Sequence, residues 1–190
     1  MRGVAASLSE VSYRDGRMRV NGRPYFFSGI WGPPQYHTEA MYYGHARNGL
    51  RVQLWGASPR TAEQLLKDLD LAAKYHSKLI PDVQFSPGRF HEKGYFDQWK
   101  KDVQRYFSPQ VRAHPALLGY YMCDEPGFGG VSLVALEAAY RTMDELDPYH
   151  PAWINEAPIT SLKRLRRSLG ACRSFGDLEF QPVRKTDAKE

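Results

Sequence analysis

The chain has 190 residues, of which 42% are hydrophobic and 25% charged, with a net charge of +5. That is enough apolar material for one domain with a sizeable core; it excludes a disordered chain, and the mild basicity bears on solubility rather than on fold. No apolar run approaches a membrane span or a signal-peptide core, and Cys123 and Cys172 lack metal-ligand spacing, so both read as small buried hydrophobes.

In chain order, Asp15-Gly16 and Asn21-Gly22 are turn signals between short alternating strands, so a β-hairpin is expected over residues 1–24. Residues 25–32 then read as a buried strand that ends in Gly32-Pro33-Pro34. A short helix from Thr38 stops at Asn48-Gly49, and residues 50–56 give a second strand. Thr61 and Gln64 match a capping box, with Leu65, Leu66, Leu69, Ala72 and Ala73 on the apolar face of the helix that follows. Residues 78–85 read as a third strand despite Pro81, which removes a ladder donor. Phe96, Trp99, Val103 and Tyr106 mark the next helix.

The stretch from His114 to Gly127 is an apolar, aromatic-rich strand that ends on Asp124, Glu125 and a Pro-Gly breaker. Ser132 is positioned to cap a helix carrying Leu136, Tyr140 and Met143, which Asp147-Pro148 stops. Residues 152–156 form a fifth strand, 161–169 a helix and 172–180 a sixth strand, and 183–190 is a polar, disordered or truncated tail. The cations of Lys163-Arg164-Leu165-Arg166-Arg167 read as the solvated face of that helix; the alternative, a nucleic-acid patch, lacks aromatic interleaving.

Strand and helix alternate about every 25 to 35 residues, the rhythm of parallel βαβ units. The fold class is therefore α/β. No Gly-rich phosphate loop follows the first strand, which favours a (β/α)8 TIM barrel over a nucleotide-binding open sheet. A barrel spans about 250 residues, so the expectation is an incomplete one, with about six of eight units in residues 25–182.

In such a barrel the strands' C-terminal ends carry the chemistry, and Asp124 and Glu125 sit at one. Glycoside hydrolysis uses two carboxyl groups, one protonated to assist the leaving oxygen and one ionised. Glu125 suits the first role beside Tyr120 and Tyr121, while Asp124 points elsewhere if strand alternation persists; either could instead cap a helix or pair with an arginine. Glu156 is the best second carboxylate within the chain, or else a cap or salt-bridge partner. Asp177, Glu179 and Gln181 alternate on one face of the sixth strand, where they contact substrate or face water; Asp82 and Gln84 end the third strand as lesser candidates. Trp31 and Trp55 end strands one and two, either as platforms for a sugar ring or as core. The histidines have no metal-type spacing, and His114 and His150 read as structural residues before proline.

The chain resembles the clan A glycoside hydrolases. The resemblance runs through Val20-Asn21-Gly22-Arg23-Pro24-Tyr25-Phe26, His114-Pro115-Ala116-Leu117-Leu118-Gly119-Tyr120-Tyr121, Asp124-Glu125-Pro126 and Leu146-Asp147-Pro148-Tyr149-His150-Pro151. It implies Glu125 as general acid/base of a retaining mechanism on O-glycosidic bonds, with a nucleophile on a seventh strand that these 190 residues do not include. The chain departs from the family in placing Asp124 where many members have an asparagine that meets the sugar 2-hydroxyl, and in showing Glu179-Phe180-Gln181-Pro182 near strand six. Substrate contacts are expected from Asp124, Trp31, Trp55, Tyr121, Glu156 and Glu179. The implied partner is a carbohydrate, with no nucleic acid, membrane, metal or organic cofactor; localisation and oligomeric state stay open. The rival expectations are a carbohydrate-binding barrel without catalysis and an inactive gene fragment.

Overall fold

The computed structural model describes residues 9–14, 17–32, 38–55, 61–126 and 131–155. The helix expected at 161–169, the strand at 172–180, the tail, Cys172, Glu156 and Glu179 lie outside the described residues.

An antiparallel unit comes first: β1 (Val11–Arg14), β2 (Arg17–Val20) and β3 (Arg23–Pro24). Between β2 and β3, Asn21 and Gly22 both take positive φ, 51° and 74°, the geometry for which Asn-Gly is selected in a two-residue turn. Asn21 Oδ1 also accepts the Glu10 amide at 2.9 Å, tying the turn to the start of β1.

Parallel strands follow. β4 (Gly29–Gly32), β5 (Val52–Trp55) and β6 (Lys78–Pro81) form one sheet, and β7 (Tyr120–Asp124) and β8 (Ala152–Asn155) another. Isolated parallel bridges, Leu79 to Leu117 and Asp82 to Tyr121, place β6 beside β7, and the Val83 amide donates to the Tyr121 carbonyl at 2.9 Å. The spatial order is thus the chain order, without the reversal of a doubly wound sheet. The sheets are small and do not close on themselves among the described residues. At the β7–β8 contact Gly119 is required, because a Cβ there would lie 2.6 Å from the Pro151 carbonyl oxygen.

Helices α1 (Glu39–Arg47), α2 (Ala62–Lys74), α3 (Tyr95–Tyr106), α4 (Pro109–Arg112) and α5 (Leu133–Leu146) connect the strands. Thr38 caps α1 by accepting the Met41 amide, and Gly49 at φ 79° supplies the left-handed turn after it. Thr61 Oγ1 accepts the Gln64 amide at 3.1 Å, but the other half of the expected capping box is not made: the Gln64 side chain donates forward to Asp68 at 3.3 Å. Ser132 takes the N-cap position of α5 without a side-chain hydrogen bond.

Two apolar layers flank the parallel strands. The larger unites Tyr42, Leu65, Leu69, Trp99, Val103, Phe107, Val111, Leu136, Tyr140 and Met143 from the helices and the segments that flank them with Leu79, Tyr120 and Met122. The smaller joins Val52, Ile80 and Leu118 to Val11 of the hairpin, with Met18, Val20, Leu54, Tyr121 and Trp153 packed around them. The alternation of Leu79 with Ile80, and of Tyr120 with Tyr121, shows strands covered on both faces. The hairpin covers the second face: the Val11 amide donates to the Tyr149 carbonyl at 2.9 Å, and Met18 and Val20 pack in the same apolar cluster as Trp153.

Three strand expectations need correction: the third strand, expected over 78–85, ends at Pro81 with only an isolated bridge at Asp82 beyond it. Residues 25–28 are not strand, and β4 is exposed rather than buried, with Phe26 at 87% and Trp31 at 60% exposure. The cause is an edge position, since β4 pairs only with β5 among the described residues. The strand expected from His114 is shorter: residues 114–119 form a turn and the Leu117 bridge before β7 proper, and α4, opened by Pro109 behind Ser108, precedes them.

Candidate functional site

The ends of β6 and β7 border a cleft of about 300 Å³, with β8 paired to β7 on its other side. Its walls are Asp82, Gln84, Phe85 and Ser86 after β6, and Tyr121, Met122, Cys123 and Asp124 of β7.

A β-bulge aims the β7 side. Tyr121 pairs with Trp153 and Cys123 with Ile154, so Met122 is an extra residue on β7. Unbroken alternation would put residues 121 and 124 on opposite faces; the extra residue returns Asp124 to the face of Tyr121, paired with Asn155. There Asp124 Oδ1 accepts the Tyr121 hydroxyl at 2.8 Å and the Asn155 side-chain amide at 2.9 Å. Oδ2 of the same carboxyl has no partner among the described residues. Burial first, then the hydrogen bond to Asp124, holds the Tyr121 hydroxyl well above its ordinary value, so it stays a donor.

Glu125 follows directly. Its amide donates to the Asn155 carbonyl at 2.7 Å, and its φ of 40° is left-handed, a conformation that costs a non-glycine residue about 1–2 kcal/mol. The strain sits between the bulge and Pro126, where the chain leaves the strand. The Glu125 side chain is half-buried and is not one of the residues lining the cleft.

The β6 side is held by a side chain folding back on its own backbone. Asp82 Oδ1 accepts the Gln84 amide at 2.6 Å, and Gln84 takes a φ of 54°. Burial pushes the Asp82 carboxyl above its ordinary value, and the Gln84 amide offsets part of that. Phe85 anchors this wall in the aromatic cluster of α3, with ring centroids 4.9 Å from Trp99, whose indole N–H donates to the Val83 carbonyl at 2.8 Å.

Of the residues singled out from sequence, Asp124 and Tyr121 line the cleft and touch each other; Glu125 adjoins them. Trp31 stands exposed near the end of β4, and Trp55 ends β5 with its backbone paired to Gly32 and Pro81 while its side chain lies outside the description. Asp82 and Gln84, ranked lower from sequence, are both walls of the cleft. Asn155 was not singled out from sequence; its role depends on β8 lying in register with the bulged end of β7, which spacing alone does not reveal. His114 and His150 are structural: His114 Nε2 lies 3.1 Å from Asp70, and buried His150 lies 2.8 Å from Asp147. Among the described residues no cluster of His, Cys, Asp and Glu is arranged to hold a metal ion.

No protein-family model matches the sequence, and no curated protein does either. Solved structures do match. The endo-beta-1,4-mannanase from Thermotoga petrophila superposes with a TM-score of 0.55 at 13% identity, over 72% of this chain and 43% of its own. A GH2 beta-galacturonidase from Eisenbergiella tayi, bound to galacturonate, gives 0.62 at 15% identity, over 80% of this chain and 29% of its own. A beta-glucuronidase from an uncultured Clostridium gives 0.56 at 14% identity, over 78% and 28%. The chain therefore spans less than half the length of these glycosidases and shares their fold over that part.

Proposed function

We propose that this chain is the greater part of a (β/α)8 barrel of clan A type, belonging to a retaining glycoside hydrolase, with Glu125 as general acid/base. The observation that carries the reading is the convergence of Asp82, Asp124 and Glu125 at the C-terminal ends of two adjacent parallel strands, beside a cleft, in a chain whose solved fold relatives cleave glycosides. In this reading Glu125 protonates the departing glycosidic oxygen, and a second carboxylate outside the described residues attacks the anomeric carbon. Asp124, with Oδ1 held by Tyr121 and Asn155, turns Oδ2 to a sugar hydroxyl. Trp31 and Trp55 offer ring faces to sugar, and Glu156 and Glu179 extend the polar contacts.

Hydrolysis of a panel of aryl glycosides by the parent protein that carries the seventh strand, and by its Glu125→Gln variant, tests the role of Glu125. Loss of the acid lowers turnover by about 10²- to 10⁴-fold for poor leaving groups, and by much less for activated phenols that need no protonation. An equal loss across leaving groups contradicts the acid role.

A second reading, sugar binding without cleavage, draws on the absence of Glu125 from the cleft lining while Asp124, Tyr121, Asp82 and Gln84 are all there. Sugar binding with no turnover in either form of that parent protein favours it.

A further inference from the structure

We infer that the end of β7 is a two-register element. The bulged register turns Asp124 to the cleft; a straight register, with the bulge at Met122 drawn out, turns Glu125 there instead. The inference rests on the reading of Glu125 as the acid, and it supplies what that reading lacks, since Glu125 adjoins the cleft without lining it.

Strand parity is the basis of the switch. Tyr121 pairs with Trp153 and Cys123 with Ile154, so Met122 and Cys123 together occupy the place of one residue, an arrangement rare between parallel strands. Both are packed in the larger apolar layer, with Ile154 against it. When Met122 pairs with Ile154 instead, every later residue of β7 changes face. Asp124 then leaves the face of Tyr121, and Glu125 takes it. Tyr120 and Met122 keep their places; of the β7 side chains in that layer only Cys123 has to leave it, and Cys123 is small and already 8% exposed.

Opposing local preferences hold the two registers close in energy. The bulged one is secured by the bonds to Asp124 Oδ1 from Tyr121 at 2.8 Å and Asn155 at 2.9 Å, and by the Glu125 amide on the Asn155 carbonyl at 2.7 Å. Against it stands the backbone of Glu125. Its φ of 40° is left-handed, and the next residue is Pro126, whose ring crowds the residue before it toward extended backbone. A straight strand relieves that conflict at the expense of the bonds on Asp124. A ligand that bonds the Glu125 carboxyl and not Asp124 draws the chain into the straight register by its differential affinity, which brings the acid in with the substrate.

The test is exchange NMR of the 190-residue chain, by relaxation dispersion and saturation transfer at the amides of 121–125, 154 and 155. The expected result is one shared process with a minor state of about 1–10%, in which the Glu125 carbon shifts are those of extended backbone. Glu125→Gly accepts positive φ freely, so it should lower the minor population about tenfold at the neighbouring amides. Deleting Met122 should make the minor-state shifts the sole set; if that variant does not fold, Glu125→Gly still decides. Absence of exchange at these amides, with Glu125 left-handed throughout, overturns the inference, and so does exchange that Glu125→Gly leaves unchanged. A single register leaves the acid role of Glu125 to the leaving-group series, whereas an equal loss across leaving groups removes that role and leaves the two registers standing, so the two fail separately.

Discussion

β4 and β7 are both aromatic-rich segments that the sequence marks as buried strands, and they meet opposite fates. β7 lies between β6 and β8 beneath α3, α4 and α5, and Tyr120 at its start is fully buried. β4 has β5 on one side only among the described residues, and Phe26, Ile30 and Trp31 around it remain exposed. The difference teaches that an apolar run specifies a surface to be covered, while the neighbouring elements decide whether anything covers it. The cleft lies at the end of the buried strand, where the bulge and Asp124 stand beside the segment that follows β6.

The sharpest way to break this comparison is truncation on each side. Tyr120 packs edge-on to Phe107 with centroids 4.9 Å apart and donates its hydroxyl to Asp147 at 2.5 Å. Tyr120→Ala is expected to cost about 3–5 kcal/mol in denaturant unfolding, for the cavity and the lost hydrogen bond to Asp147 together, whereas Phe26→Ala changes stability by less than about 0.5 kcal/mol. Equal losses would mean that β4 is covered in solution.

A smaller effect separates the two halves by pH. Under α2, beside the β5 half, burial pushes the Asp68 carboxyl up from 3.8 to about 6, against the hydrogen bond from Gln64. Its folded pKa is raised, so the stability linked to Asp68 is fully present below pH 3.8 and is lost as pH rises through about 6. Near β7 the sign reverses. Burial opposes the charge of Asp147, but the His150 ring, the Tyr120 hydroxyl and the Tyr149 amide together outweigh it and hold its carboxyl below the ordinary 3.8. That contribution is present above 3.8 and is lost as pH falls through the folded value. Asp68→Asn is therefore expected to gain roughly 1–2 kcal/mol over the wild type at neutral pH and little at pH near 4, read from unfolding curves across pH. A gain independent of pH would assign the effect to packing instead.

Much of this was legible in the sequence. The Asn21-Gly22 turn, the Thr61 cap, the Leu65, Leu69 and Ala72 face and the sequential parallel order follow from local chemistry and period, which depend on few neighbours. Helix α4 carried a Ser108-Pro109 start signal, but it is too short for an apolar period to mark it. The site was legible in part: Asp124 and Tyr121 were read as substrate contacts, and the structure adds that they touch. What carries no local signal is the bulge at Met122, which sets Asp124 on the face of Tyr121. The exposure of β4 and the contribution of Asn155 depend on which strands lie alongside, and no local signal carries that.

The most direct test of the central claim is an amide NMR titration of the chain with methyl glucoside, after backbone assignment. The account predicts shifts concentrated at residues 82–86, 121–125 and 155, where the cleft walls and their supports lie. Shifts confined to the exposed aromatics around β4, with the cleft amides unmoved, would contradict it and move the sugar-binding surface to the sheet edge.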